Sequence, residues 1–317
     1  MSSIRTIKIA SRTSKLAMWQ TELVKARLEA YGHHCEIVAM ESTGDMQLTQ
    51  PIYALGISGV FTKQLDVALL NKQADIAVHS LKDVPTQLAE GLVISAVLER
   101  GPSEDLVILK DKSILDNPLS EAVIASGSLR RRGQWLAKYP NHKLVGIRGN
   151  VQTRLKKFAE GEEMKGVIFA KAGLERLGLI PDNAVVLDWM LPAPAQGIIG
   201  IACREEDAEI QEILATINHQ ETFIAASVER QFMRTMMGGC SVPISALAEI
   251  SGSELEFKGA MHSYDGKRAF EVHRMMLISE WADAGKVCAD KLLQQPGAGE
   301  LIEEIRNKKW DEDGAVN

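Results

Sequence analysis

The sequence predicts an α/β protein of two or three domains, and three observations predict it. The chain has 317 residues, more than one ordinary hydrophobic core supports. From Ile7 to Ala202, short apolar runs alternate with segments of helical periodicity, the pattern of strand–helix units around a sheet. Beyond Gly238 the pattern changes to three alternating runs, Ser245–Ile250, Leu255–Met261 and Arg268–Met276, which read as an antiparallel sheet.

Taken in order, Ile7–Ser11 is a first strand, followed by Ser11-Arg12-Thr13-Ser14 and a helix from Lys15 to about Tyr31. Ser14 is its expected N-cap. Leu16, Trp19, Leu23 and Ala26 are expected on one apolar face, and Gly32 ends the helix. Cys35–Met40 is the next strand. Glu41–Gly59 has no clean period and reads as a lid over a cleft. Phe61–Leu70 is helical, with Leu65, Ala68 and Leu69 inward; Phe61 sits at its mouth, either stacked on a ligand ring or packed in a core.

Ile76–Ala77–Val78 is the end of a buried strand that turns abruptly polar at His79-Ser80-Leu81-Lys82-Asp83, with Pro85 closing the turn. Ligands of α/β sheets bind outside the carboxyl ends of strands, so Lys82 and Asp83 are candidates for an anchoring cation and an acid/base group. A solvated surface turn accounts for the same residues. Leu92–Leu98 is a strand, and a second α/β unit begins after Arg100–Asp105 with strands Val107–Leu109 and Ala122–Ala125. Ser128 caps a helix to Tyr139, Leu144–Ile147 is a strand, Asn150 caps the helix carrying Arg154, and Val167–Ala170 leads to Lys171–Gly178. After the linker-like Leu191–Gly197, the strand Ile198–Ala202 is expected back in the first domain. Asp207–Glu229 is helix-rich, and helices are expected near Glu280–Gln294 and Gly299–Lys308 before a polar tail.

Hydrophobic content of 45% and charged content of 25% are those of a soluble globular protein, and no apolar run reaches membrane-spanning length. The N-terminal residues lack a signal-peptide apolar core, so a cytoplasmic location is expected. Cys35, Cys203, Cys240 and Cys288 lie far apart, which argues against a disulfide framework or a structural zinc site; no metal is expected. The net charge of −6 hides an asymmetry: Ala122–Ala159 holds no Asp or Glu but nine Lys and Arg, five of them arginines. Arginine suits bidentate recognition of carboxylate or phosphate, so the window points to a polyanionic ligand. Arg130 to Arg132 fall in a first helical turn, where cations oppose the helix dipole and a bound anion would explain them. Arg12, Lys82, Arg130, Arg131, Arg148 and Arg176 all fall where a strand gives way to a helix or turn. That recurrence predicts two sheets facing one cation-lined cleft; ordinary surface arginines are the alternative. Gly238-Gly239-Cys240-Ser241-Val242-Pro243 holds a thiol on a bare backbone, which suggests an accessible nucleophile where an inert buried cysteine is the usual fate.

In this order, several segments together resemble the porphobilinogen deaminase (hydroxymethylbilane synthase) family over nearly the whole length. They are Ala10-Ser11-Arg12 with Leu16–Gln20, Ser42-Thr43-Gly44-Asp45, Phe61-Thr62-Lys63, Val78–Pro85, Ser128-Leu129-Arg130-Arg131, Ile147–Val151 with Thr153-Arg154, Ala172-Gly173-Leu174, Arg176-Leu177-Gly178 and Gly238–Pro243. The resemblance implies condensation of four porphobilinogen molecules head to tail, with loss of ammonia at each step and hydrolytic release of a linear tetrapyrrole. It implies a dipyrromethane cofactor held as a thioether by Cys240, whose thiolate adds to the azafulvene formed by deamination. Asp83 matches the catalytic aspartate. Lys82, Ser128, Arg130, Arg131 and Arg154 match cofactor-carboxylate ligands; Arg12, Ser14, Arg148, Arg176, Phe61, Gln20 and Gln196 match substrate or chain contacts. Each pyrrole carries an acetate and a propionate, which suits an acid-free cleft with Asp83 as its lone carboxylate.

The implied fold is two lobes like those of type II periplasmic binding proteins, joined by two crossing segments, plus a small C-terminal α/β (α+β) domain. The boundaries expected are 1–98 with 196–218, 99–195 and 219–317. A monomer is expected, acting on a small molecule, with no nucleic-acid or membrane partner. Lys15, Gln64, Ser126-Gly127, Ala195 and Met237 depart from the usual Pro, Glu, Thr-Ser, Gly and Glu of the family. A non-enzymatic anion-binding protein of the same two-lobed build would need the arginines but not Asp83 and Cys240 together. Phosphate or nucleic-acid binding by the basic window would need aromatic interleaving that is absent.

Overall fold

A computed structural model describes residues 5–41, 62–236 and 242–307. Strand β1 (Thr6–Arg12) runs into helix α1 (Lys15–Ala30), strand β2 (His34–Met40) follows, then helix α2 (Lys63–Leu70), strand β3 (Ile76–Ser80) and strand β4 (Leu92–Val97). The chain crosses to a second sheet through strand β5 (Asp105–Leu109), strand β6 (Val123–Ala125), helix α3 (Leu129–Lys138) and strand β7 (Lys143–Val145). Helix α4 (Val151–Glu160), strand β8 (Met164–Ala170), the short helix α5 (Lys171–Glu175) and strand β9 (Ala184–Leu187) complete that unit. Strand β10 (Ile199–Arg204) then returns to the first sheet, as expected from the sequence.

The first sheet has the order β2-β1-β3-β10-β4 and the second β7-β6-β8-β5-β9. Within each, two pairings are parallel and the strand next to last is antiparallel to both neighbours. That antiparallel strand is in each case the one entered from the other lobe, β10 in the first sheet and β5 in the second. Strands β3, β5 and β10 are almost wholly buried because helices cover both faces. In the first lobe one cluster joins Ile7, Ile9, Ile76 and Ile201 to Val24 and Leu28 of α1, and a second joins Ala10, Ala77 and Ala202 to Leu65 and Leu69 of α2. The second lobe repeats this with Val107, Ile124 and Trp135 on one face and Ile108, Val167 and Phe158 on the other. Two α/β lobes and a small C-terminal domain are therefore the architecture. Among the described residues no helix is long and apolar enough to cross a membrane.

Helix α1 departs from the reading of its sequence. Ala17, Gln20, Thr21, Val24 and Leu28 face the sheet, while Trp19 and Ala26 are exposed. The inward stripe is one position along from the expected one, because two polar residues, Gln20 and Thr21, are taken inward by hydrogen bonds. Thr21 Oγ1 donates to Ser11 Oγ at 2.6 Å, and Gln20 Nε2 donates to Ser80 Oγ at 2.9 Å.

After helix α6 (Ala208–Ala215) comes the long helix α7 (Gln220–Thr235), which lies against strands β11 (Ile244–Ser251), β12 (Glu254–His262) and β13 (Ala269–Leu277) in an antiparallel sheet. Helices α8 (Trp281–Leu293) and α9 (Ala298–Asn307) close this unit, and Val228, Phe232, Phe257, Cys288 and Leu292 fill its core. Leu129, the first residue of α3, belongs to the same core, so the third unit abuts the N-terminus of that helix. Glu229 of α7 is fully buried and receives Arg100 Nη1 at 2.6 Å, the Ala195 amide at 2.6 Å and the Ala248 amide at 2.7 Å. One carboxylate thereby ties both crossing segments to the third sheet.

Helices α7 and α8 approach through Gly285. A β-carbon there would overlap the Val228 carbonyl and lie 2.7 Å from the Phe232 amide nitrogen, both backbone atoms that cannot swing aside. Gly285→Ala is expected to lower unfolding free energy by about 1–3 kcal/mol, the usual cost of overpacking, read by denaturant melts.

Candidate active site

Strand β3 ends at Ser80 and the chain makes a single 3₁₀ turn, Leu81–Asp83. Leu81 donates its amide to the Ile198 carbonyl at 3.0 Å, and Lys82 Nζ donates to Gln196 Oε1 at 3.2 Å. The turn therefore hangs from the second crossing segment. Around it three helix N-termini converge, each capped as expected from the sequence. Ser14 accepts from the Ala17 amide, Ser128 from the Arg131 amide and Asn150 from the Thr153 amide. Such ends carry positive partial charge and unpaired amides.

Between the two lobes these elements enclose a cavity of about 510 Å³. Its wall contains Arg12, Lys82, Arg131, Arg148, Arg154 and Arg176. Asp83 is the one carboxylate in that wall among the described residues. Ser14, Gln20 and Ser128 also line it. Cys240, Phe61 and the expected lid, from residue 42 onward, lie outside the described residues.

Arg130 and Gln196 stand behind the wall instead of in it. Their partner is Asp105, the first residue of β5, which is fully buried. Arg130 Nη2 reaches Asp105 Oδ2 at 2.7 Å, and Arg131 Nη2 reaches Oδ1 at 2.8 Å. Gln196 Nε2 donates to the same Oδ1 at 2.8 Å. Arg130 also donates to the Leu191 carbonyl at 2.7 Å, and Arg132 turns away to the Tyr264 carbonyl of the third unit. Of the three arginines opening α3, two thus share Asp105 and the third leaves for the third unit. Asp105, outside the acid-free window, is a second carboxylate near these cations, standing behind the wall that Asp83 lines. Burial alone would raise its pKa, but the charges of Arg130 and Arg131 and their hydrogen bonds outweigh that and hold it well below the usual carboxylate range.

Lys82 and Arg154 are desolvated with no ion pair to a described carboxylate. Burial, with Arg131 and Arg130 nearby, lowers the Lys82 ammonium to about 8 against the pull of Asp83 and Asp105. Burial, then Arg131, lowers Arg154 to about 10, and Arg154 lies 5.0 Å over the Phe169 ring with no hydrogen bond at its buried Nε. Arg176 of the second lobe donates to the Gly197 carbonyl at 2.6 Å and lies 5.7 Å from the Trp19 ring centroid of the first. His79, quoted in the turn motif but given no role from sequence, also lines the cavity; burial, then Arg12 and Arg230, lower it to about 4, so it is neutral near pH 7. Asp83 makes no hydrogen bond or ion pair with any other described residue. Among the described residues the cavity wall is a cluster of six cations with one carboxylate, Asp83, and a second carboxylate, Asp105, behind it.

Two family models cover the chain: "Porphobilinogen deaminase, dipyromethane cofactor binding domain" over residues 7–212 and "Porphobilinogen deaminase, C-terminal domain" over 223–294. The chain belongs to the porphobilinogen deaminase family. A porphobilinogen deaminase of Syntrophomonas wolfei is 39% identical over 95% of this chain and 99% of its own length. The chloroplastic porphobilinogen deaminase of Oryza sativa is 42% identical over 84% and 77%. Among solved structures, the BvgS periplasmic VFT2 domain of Bordetella pertussis aligns at 17% identity over 70% of this chain and 92% of that one, with a TM-score of 0.43. The methionine-binding protein MetQ aligns at 15% identity over 71% and 94%, with a TM-score of 0.42.

A porphobilinogen deaminase holds a polycarboxylate, and the desolvated, unanswered guanidinium of Arg154 fits such a ligand. The depressed Lys82 gives a direct test. An unfolded lysine titrates near 10.4, so between pH 8 and that value the ligand-free folded chain binds fewer protons than the unfolded one, and its stability rises with pH. In ligand-free protein at pH 8, Lys82 is expected to be the lysine acylated fastest by a small amine reagent, read by peptide mass spectrometry. A bound polycarboxylate should restore its proton and protect it; labelling at the rate of a surface lysine would count against the depressed value.

Proposed function

We propose that this chain condenses porphobilinogen head to tail at Asp83, on a dipyrromethane primer tethered through Cys240, and releases the linear tetrapyrrole by hydrolysis. Family membership supports the reaction and disfavours a non-enzymatic anion binder. One observation carries the assignment to this cavity: among the described residues Asp83 is the lone wall carboxylate beside six cations, and it makes no hydrogen bond or ion pair with any of them. When bound, the primer supplies the nucleophilic pyrrole carbon from which the product grows.

The protein residues divide by reach. Lys82, Ser128, Arg131 and Arg154 hold the primer's carboxylates, and Arg12, Ser14, Gln20, Arg148 and Arg176 hold those of the incoming substrate. Arg130 and Gln196 support this from behind the wall, through Asp105 and Lys82. Asp83 accepts hydrogen bonds from pyrrole N–H groups and stabilises the cation left as ammonia departs. A preorganised charge of this kind is a large source of rate. Its carboxylate also stands ready for the proton lost when each new carbon–carbon bond forms. His79, neutral and in the same wall, adds no further positive charge. The cations bind the carboxylates of substrate and product alike, so they supply affinity and place while Asp83 supplies the difference between ground and transition state.

Protein made in a cell that produces porphobilinogen should show an intact mass increased by two linked pyrroles, located on Cys240 by peptide mapping. It should also convert porphobilinogen to a product that oxidises to uroporphyrin. An unmodified mass together with no turnover would return the non-enzymatic reading. Asp83→Asn is expected to keep the fold and the adduct while losing about 100-fold or more in turnover, the scale of removing one charged group from a reacting centre. Near-normal turnover would remove Asp83 from this role.

A further inference from the structure

A three-residue 3₁₀ turn makes few bonds of its own, so its direction is set by what grips it. The front of the Leu81–Asp83 turn is tied to the second crossing segment. Behind it, Pro85 ends regular pairing, and the carbonyls of Val84 and Pro85 face α7. Arg230 on that helix answers them: Nη1 donates to Val84 O at 2.9 Å and Nη2 to Pro85 O at 2.7 Å, with Leu81 O at 3.4 Å from Nη1. A planar guanidinium can bond diverging carbonyls at once, which an ammonium on a flexible stem does less well. Its base is firm, because the preceding residue is Glu229, anchored to both crossing segments and to β11. Leu81 and Val84 are packed below the turn against Ala195, Ile198 and Ala226 of the same elements. Arg230 opens onto a small groove of about 220 Å³ behind the turn, shared with Thr86 and Arg234, and is absent from the wall of the main cavity.

We propose that Arg230 is a positioning residue for the condensation: by gripping the carbonyls of the turn from the third unit, it fixes where the Asp83 carboxylate points in the cavity. This rests on the reaction assigned to Asp83. It gives the third unit a part in the chemistry separate from the Cys240 loop. Catalysis is sensitive to such placement, since about 1 Å of misplacement can cost about 100-fold in rate.

The test compares primer-loaded wild type with Arg230→Met, Arg230→Lys and Arg234→Met, loading being verified by intact mass. Arg230→Met is expected to load normally and keep its KM for porphobilinogen within about threefold, while kcat falls about 100-fold. Arg230→Lys should recover about a tenth of the wild-type kcat through a single point donor. Arg234→Met, in the same groove, should match wild type. A merely structural role would lower the melting temperature and leave kcat unchanged well below it, and that result overturns the proposal. If Arg230→Met does not fold, Arg230→Lys decides, and a kcat within twofold of wild type overturns it. An inactive wild type would overturn the assignment of the reaction itself, and this inference with it.

Discussion

Asp105 makes the cation cluster tolerable. Arg130 and Arg131 leave water almost completely, and an isolated buried guanidinium is strongly unfavourable. One carboxylate on the first residue of β5 meets both with charge-assisted bonds and receives the Gln196 amide besides. Gln196 then spends its carbonyl on Lys82. The chain of contacts starts in the second lobe, passes through the crossing segment and ends on the first lobe, next to Asp83. The charge of the cavity and the relative placement of its two sides depend on one buried anion that never faces the ligand.

Much of this was legible in the sequence, for physical reasons. Cations at the ends of strands and caps at the starts of helices are local features, and the structure has Ser14, Ser128 and Asn150 capping where their side chains and the following periodicity imply. What failed depends on distant partners. Nothing near Asp105 marks it as the counter-ion of residues 25 and 26 positions away. The inward face of α1 escapes a hydrophobic pattern because Gln20 and Thr21 are buried by hydrogen bonds, which such a pattern does not register. The shared strand order of the two lobes was likewise invisible: the sheets repeat a topology, while their sequences show no repeat.

Two departures from the usual family pattern acquire a physical meaning. Ala195 has a φ of 61°, a left-handed conformation that costs a residue with a β-carbon about 1–2 kcal/mol, which explains why glycine is usual there. The chain keeps that conformation because the Ala195 amide is committed to Glu229 and its methyl is fully buried with Leu81, Val84 and Ile198. Gly127 lines the cavity next to Ser128, and a β-carbon there would come within 3.0 Å of the Ile147 carbonyl. Its lack of a side chain relieves that contact and removes a hydroxyl from the wall.

The placement of the charges bears on how a single site can carry out a repeated reaction. Cations hold a carboxylate mainly by charge, and the acetate and propionate of one pyrrole are much like those of the next. A wall of arginines therefore binds a polypyrrole in several registers with similar energy. A hydrogen-bond acceptor for a reacting N–H has no such freedom, because geometry decides whether it helps. Asp83 sits on a turn pinned in front through Leu81 and Lys82 and gripped behind by Arg230. On the proposed function, the reacting point is fixed while the ionic contacts are interchangeable. Each addition then requires the bound chain to shift along the cations by one repeat, which costs little because every carboxylate released by one guanidinium can be taken up by another.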